Sequence, residues 1–200
     1  MKYFCNKGPK YNFDQILSPI VQGGVSKELR KLSAEQLVEL NAKMYAIGGL
    51  AVGEPKEEML EIVSFLDGVM PKEKPRYLMG VGTPADLIEC IALGIDMFDC
   101  VIPTRNGRNG QLFTYDGKIN IRNSKFKNDN APLDDKVTLR GLKKYSKNYL
   151  NHLFNTNEIL GSMLLTIHNI NFYQQLMKQI RESIDNETFD DFHDKYINII

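Results

Sequence analysis

Over the first hundred residues, short apolar runs alternate with stretches whose apolar positions recur every three or four residues. Pro19-Ile20-Val21-Gln22-Gly23-Gly24 is a short apolar run that ends in glycines. Ser26 is then placed to cap a helix, with Leu29, Leu32, Leu37, Val38 and Leu40 supplying an apolar face through about Ala42. Met44-Tyr45-Ala46-Ile47-Gly48-Gly49-Leu50 reads as a second strand, again ending in glycines. Pro55 opens a second helix, with Met59, Ile62, Val63 and Leu66 on one side. Arg76-Tyr77-Leu78-Met79-Gly80-Val81-Gly82 is a third strand. Thr83-Pro84-Ala85-Asp86 starts a third helix with a Thr cap, a Pro at the first helical position and an acid in the first turn. That helix carries Leu87, Ile88, Ile91 and Leu93 and stops at Gly94, and a fourth strand is expected over residues 96–102.

Strand–helix units repeating at a pitch of about 25 residues predict parallel strands joined by right-handed crossovers. The continuous apolar runs predict strands buried on both faces. An open doubly wound sheet and a (β/α)8 barrel both fit, and both carry their sites at the C-terminal ends of the strands. After Pro103 the rhythm breaks. Residues 110–115 and 118–121 resemble a hairpin with Asp116-Gly117 as its turn. Residues 122–136 read as polar loop, 142–154 as helical and 157–184 as strongly helical, with one short helix toward the end.

Composition alters this picture in one place. The 200 residues carry 25 basic and 25 acidic side chains, so total charge favours no partner. Residues 1–100 hold 11 Lys and Arg against 14 Asp and Glu, residues 101–150 hold 11 against 4, and residues 151–200 hold 3 against 7. The central excess suits a polyanion. Arg105, Arg108, Arg122, Lys125, Lys127, Arg140, Lys143, Lys144 and Lys147, interleaved with Phe113, Tyr115, Phe126, Tyr145 and Tyr149, resemble a nucleic-acid surface more than a plain solvated face. Cys5, Cys90 and Cys100 form no Cys-x-x-Cys and read as reduced thiols of a cytoplasmic protein. No apolar run approaches the ~20 residues of a membrane span, and no apolar core of a signal peptide follows Lys2.

The sharpest candidate is Asp99, inside the apolar run of Met97, Phe98, Cys100, Val101 and Ile102 and followed by a basic, glycine-rich stretch read as a loop. An ionised carboxylate buried without partners is costly, so Asp99 should be paired, protonated or working. Residue type alone leaves a catalytic carboxylate and a structural acid pairing with Arg105 about even. The glycines of Gln22-Gly23-Gly24 and Gly48-Gly49-Leu50 permit close backbone approach to a flat polar ligand; simple turn chemistry explains an isolated pair better, and the repeated position at strand ends favours the ligand. Gly80-Val81-Gly82-Thr83-Pro84 leads into a helix N-terminus and suits a phosphate, weakly as a motif. His152 and His168 lie on expected helices without a cysteine nearby, so they do not assemble a zinc site.

The run Gly94-Ile95-Asp96-Met97-Phe98-Asp99-Cys100-Val101-Ile102-Pro103-Thr104-Arg105-Asn106-Gly107-Arg108-Asn109-Gly110 is similar to the signature of the tRNA-guanine transglycosylases, the queuosine-forming enzymes. Residues 20–24, 46–54, 77–84 and 166–169 resemble further motifs of that family in its order and spacing. The resemblance runs from about residue 18 to residue 184 and is bacterial-like at Val52. It implies an α/β fold of (β/α)8 TIM-barrel type, with a small inserted subdomain after the last strand and a C-terminal helical region. It implies exchange of the wobble guanine of tRNA for a free 7-deazaguanine base, the prequeuosine base in preference to queuine. Asp99 would be the nucleophile that attacks the ribose and holds a covalent ester. Gln22, Gly48, Gly49 and Leu50 would bind the base, with Met79 on its face. Gly80, Val81, Gly82, Thr83, Pro84, Ala85 and Asp86, together with Thr104, Arg105, Asn106, Gly107 and Arg108, would contact tRNA.

Two departures from the family pattern matter. Only the last four βα units are evident, over residues 1–103, followed by a basic subdomain over 104–156 and helices over 157–200. The chain thus resembles the C-terminal half of the enzyme, without the second catalytic Asp, and is expected to be weakly active or inactive alone. It would need a missing N-terminal half, or act as a non-catalytic tRNA-binding subunit; the family also forms homodimers. An unrelated phosphate-binding barrel fits less well, because of the Arg/Lys segment. Second, the family's zinc cysteines correspond to Val137, Leu139 and Leu142, while the zinc histidine is retained as His168. No metal and no cofactor are therefore expected, with the apolar residues forming a packed plug.

Overall fold

The structure, a computed structural model, describes residues 15–136 and 142–199. They form two compact units, residues 15–82 with 89–100, and residues 83–88 with 101–199. The first unit is built on a parallel sheet of β1 (Ile20–Val21), β2 (Tyr45–Ile47), β3 (Arg76–Met79) and β4 (Met97–Asp99), in the spatial order β1-β2-β3-β4. Between them run α1 (Lys27–Val38), α2 (Lys56–Asp67) and α3 (Pro84–Ala92). Sheet order follows chain order without the reversal that marks a doubly wound sheet.

Register sorts the sheet into two faces. Val21 lies opposite Ile47, Ile47 opposite Leu78, and Leu78 opposite Phe98. This face packs on Met59, Ile62, Val63 and Leu66 of α2, a core in which each fully buried aliphatic side chain stabilises by about 1.5–3 kcal/mol. The other face carries Ile20, Ala46, Tyr77, Met79, Met97 and Asp99. Ala46 is buried there, but Met97 is 47% exposed and Asp99 is exposed too. The expectation of burial on both faces therefore fails for residues 96–102. The reason is positional: β4 pairs with β3 alone, at the edge of the sheet.

Residues 96–102 also do not form one strand. Pairing ends at Asp99, and α4 (Ile102–Arg108) begins with Pro103 in its first turn, so the stretch read as a loop is helical. In α1, Ser26 Oγ caps Leu29 N as expected, yet Leu29 and Leu32 are more than half exposed. The buried stripe instead runs through Arg30 and Ala34, one turn apart.

In the second unit, β5 (Gln111–Thr114) and β6 (Gly117–Asn120) form the expected hairpin with a shifted turn. Thr114 pairs with Gly117, so Tyr115 and Asp116 make the turn and Gly117 opens β6. The polar segment that follows is anchored by buried Phe126 and Leu133. A 3-10 turn (Leu142–Lys144) precedes α5 (Lys147–Asn155), in place of one helix from 142. The 27-residue α6 (Ile159–Asp185) and then α7 (Phe189–Tyr196) complete the unit. Asn169, fully buried on α6, ties the unit together: its Nδ2 donates to Pro103 O at 2.8 Å and Gln111 O at 3.0 Å, and its Oδ1 accepts from Phe113 N. Gly107 allows α4 to approach α6 closely, since a Cβ there would lie 2.7 Å from Thr166 N. Among the described residues no helix is long and apolar enough to cross a membrane.

Candidate active site

Parallel strands in register deliver their C-terminal ends to one edge. That edge carries Gln22 after β1, Gly48, Gly49 and Leu50 after β2, Met79 and Gly80 at the end of β3, and Asp99 at the end of β4. All of them belong to the first unit. Met79 lies directly opposite Asp99 in the ladder.

Asp99 is held by two donors. Tyr77 Oη donates to Oδ1 at 2.6 Å, and Gly80 N donates to the same oxygen at 3.2 Å. Tyr77 and Asp99 share a sheet face two residues out of register, which brings a tyrosine hydroxyl diagonally onto the carboxylate. The hydrogen bond to Asp99, with burial and the carboxylate's charge added, raises the Tyr77 pKa above the ordinary tyrosine value. The arrangement presents an exposed carboxylate whose Oδ1 accepts both of these hydrogen bonds.

The glycine-rich ends of β1 and β2 meet around Arg30. Its fully buried guanidinium donates from Nη1 to Val21 O at 2.9 Å and Gly48 O at 2.7 Å, from Nη2 to Gly49 O at 3.2 Å, and from Nε to Gly24 O at 2.8 Å. Gly49 has φ +66°, and a Cβ there would lie 2.6 Å from Gln22 Oε1, so the Gln22 side chain lies against the Gly48-Gly49 backbone. Ala51 takes the left-handed φ of +58°, uncommon for a residue with a Cβ. Glu54 holds that turn by accepting from Ala51 N and Val52 N. Burial pushes the Glu54 carboxyl up, but these backbone donors prevail and keep it below its ordinary value.

Thr83 caps α3, its Oγ1 accepting from Asp86 N at 3.2 Å, with Pro84 buried and Ala85 and Asp86 half-buried; of the residues before it, Gly80 is exposed and Val81 and Gly82 are buried. On α4, Arg105 and Arg108 are exposed, Thr104 and Asn106 are half-buried, and Gly107 is buried against Thr166. Three of the five aromatics read as stacking platforms are core instead: Phe113, Tyr115 and Phe126 are each 6% exposed or less. Phe113 and Tyr115 pack against Phe172 of α6. Tyr145 and Tyr149 stack on each other, with Tyr149 exposed. Arg122, Lys125, Lys127, Lys143 and Lys144 are exposed, Lys147 is half-buried, and Arg140 lies outside the described residues.

Residues 4–199 match the family model described as queuine tRNA-ribosyltransferase. The chain belongs to this family. It is 54% identical to a queuine tRNA-ribosyltransferase of Actinobacillus pleuropneumoniae over 191 residues, covering 93% of this chain and 50% of that protein. It is 56% identical over 185 residues to the protein of the same name from Actinobacillus succinogenes, covering 90% and 49%, and 52% identical over 191 residues to that of Haemophilus influenzae, covering 93% and 50%. The chain thus spans about half the length of the curated relatives it matches.

Two of the four positions that the resemblance links to zinc are described, His168 and Leu142. His168 is buried, with Nε2 2.9 Å from Phe113 O. A carbonyl only accepts, so Nε2 carries the proton there. Burial also lowers the pKa of this imidazole, against the pull of the Phe113 carbonyl. Leu142 is buried with Leu112, Ile121, Phe126 and Leu133 and offers no donor atom. Val137 and Leu139 lie outside the described residues.

Sequence reasoning missed two residues of this edge, Tyr77 and Arg30. The signal for Tyr77 was strand alternation, which puts residues 77 and 79 on one face. For Arg30 it was a charge in the helical phase of Ala34 and Val38. Because its folded value is raised, the Tyr77 hydrogen bond contributes in full below the ordinary tyrosine pKa of about 10 and is lost as pH rises through the Tyr77 value. In ring-carbon NMR titrations Tyr77 should ionise above that ordinary value, and Asp99→Ala should bring it back down. A Tyr77 titration unmoved by Asp99→Ala would contradict the pairing.

Proposed function

We propose that this chain supplies the nucleophile and the base-binding edge of a tRNA-guanine transglycosylase of (β/α)8 type. In this reading residues 1–103 are half of the barrel, 104–156 the inserted basic subdomain and 157–200 the C-terminal helices. The observation that carries it is Asp99, at the C-terminal end of β4 beside Met79, held by Tyr77 and Gly80. Asp99 attacks C1′ of the wobble guanosine. The C1′–N9 bond breaks, guanine leaves as its anion and takes a proton from water at N9, the incoming base later returning its own N9 proton to water, and a ribosyl ester joins C1′ to the Asp99 carboxylate. N9 of the incoming 7-deazaguanine base, the prequeuosine base in preference to queuine, then attacks C1′ and releases Asp99. Splitting one displacement into two keeps the ribose attached to the protein between the two bases. Gln22, Gly48, Gly49, Leu50 and Met79 bind the base. Residues 80–86, with Thr104, Arg105, Asn106, Gly107 and Arg108, meet the tRNA, whose phosphates suit the exposed arginines and lysines. The setting is cytoplasmic, where tRNA and free base are both present.

In this reading the site is completed by the rest of such a barrel or by a second copy of the chain. A tRNA-binding subunit without its own turnover is the second reading, favoured by the exposed Arg105, Arg108, Arg122, Lys125 and Lys127. Both predict that the isolated chain binds a tRNA with a wobble guanine, less tightly as salt rises, and that Arg105→Ala or Arg108→Ala weakens binding several-fold while Asp99→Asn does not. Binding independent of salt would sink the tRNA interface. Exchange of labelled guanine into tRNA should be absent or weak with the chain alone. Any exchange that survives Asp99→Ala would remove Asp99 as nucleophile.

The chain carries no structural zinc in this reading, the space being taken by apolar packing. Metal analysis of the purified protein should find well under one zinc per chain. A value near one would overturn the packed plug.

A further inference from the structure

We propose that Arg30 is a positioning residue for base recognition: its guanidinium aims the N–H groups of Gly49 and Leu50 at the ligand. The proposal rests on the base-site reading above. In a planar trans peptide the carbonyl and the N–H point in opposite directions. Gly48 O and Gly49 O both accept from Arg30, at 2.7 and 3.2 Å, so the N–H groups of Gly49 and Leu50, which share those peptides, point away from it. The same guanidinium binds Val21 O and Gly24 O, which bracket Gln22. The Gln22 side chain lies in turn against Gly48 and Gly49. One cation thus fixes both segments of the base-reading edge.

Arginine is required for this geometry. Its planar fork reaches four carbonyls in set directions, whereas an ammonium is a single point of charge at the end of a flexible stem. Arg30 is 0% exposed, and backbone carbonyls supply all four of its recorded hydrogen bonds. Its charge therefore stiffens the peptides it holds. Arg76 offers an internal comparison. It too is buried, and its guanidinium binds Met70 O, Pro71 O and Asp67, but it opens β3 at the opposite edge of the sheet.

The test is guanine binding by the full chain, followed by calorimetry and by amide NMR, in wild type, Arg30→Lys and Arg76→Lys. Guanine should bind the wild type and shift the Gly49 and Leu50 amide resonances most. Arg30→Lys should weaken guanine at least tenfold and move the same two resonances without ligand. Arg76→Lys should lower the melting temperature yet bind guanine within about twofold of wild type. Unchanged affinity in Arg30→Lys, or equal losses in both variants, overturns the positioning role. Should Arg30→Lys not fold, hydrogen exchange in wild type decides: an Arg30 Nε–H exchanging as fast as an exposed arginine overturns the proposal, and a protected one supports it. Failure of the wild type to bind guanine brings down the base-site reading itself and the proposal with it, an outcome distinct from a variant that binds normally.

Discussion

Parallel pairing in chain order is the constraint from which the rest follows. Each crossover returns the chain to the same end of the sheet, so each strand finishes on the same edge as its neighbour. Register decides what that edge presents. With Leu78 opposite Ile47 and Phe98, these three and Val21 face the helices, and Tyr77, Met79 and Asp99 take the other face. A slip of one residue between β3 and β4 would turn Asp99 into the helix layer and bury an unpaired carboxylate. The apolar core and the candidate site are two results of one register.

Each end of the sheet is held by a buried arginine rather than by apolar packing alone. Backbone carbonyls at strand ends have no ladder partner and must be satisfied or left to water. Arg30 gathers Gly24 O after β1 and Gly48 O and Gly49 O after β2, and adds a bond to Val21 O, which Gly48 N also reaches; Arg76 gathers carbonyls of the segment that leads into β3. A hydrogen bond to a charged donor contributes about 1.5–3 kcal/mol, roughly twice a neutral one. In the second unit a neutral side chain does the same work, Asn169 binding three backbone groups from the start of α4 through β5. The buried His168 beside it completes that contact with Phe113 O. In this chain the histidine that the resemblance links to zinc is part of a hydrogen-bonded core.

Much of this architecture was legible in the chain. Four apolar runs, three of them closing on glycines, separated by helical periods identified the strands, and Ser26 and Thr83 marked helix starts that the structure retains. The Asp99 stretch stood out because a carboxylate interrupts apolar residues. What failed had a common cause, since local pattern is blind to neighbours that are distant in the chain. Residues 96–102 are apolar enough for a central strand, yet β4 is an edge, so Met97 and Asp99 are exposed. Phe113, Tyr115 and Phe126 alternate with lysines and arginines in sequence, but α6 and the cores around it cover them. Leu29 and Leu32 suggested the buried face of α1, while β1 and β2 required Arg30 there. Tyr77 acquires its role only from Asp99, which stands 22 residues further along the chain.

Asp99 on this edge is proposed as the nucleophile of a transglycosylase barrel that further strands complete. The most direct measurement is complementation. The part of the Haemophilus influenzae relative that this chain does not span is fused to it, and exchange of labelled guanine into tRNA is followed. The account predicts exchange by the fusion that is abolished by Asp99→Ala and retained, at reduced rate, by Tyr77→Phe. A folded fusion that binds tRNA but exchanges no guanine, or one whose exchange survives Asp99→Ala, would contradict it.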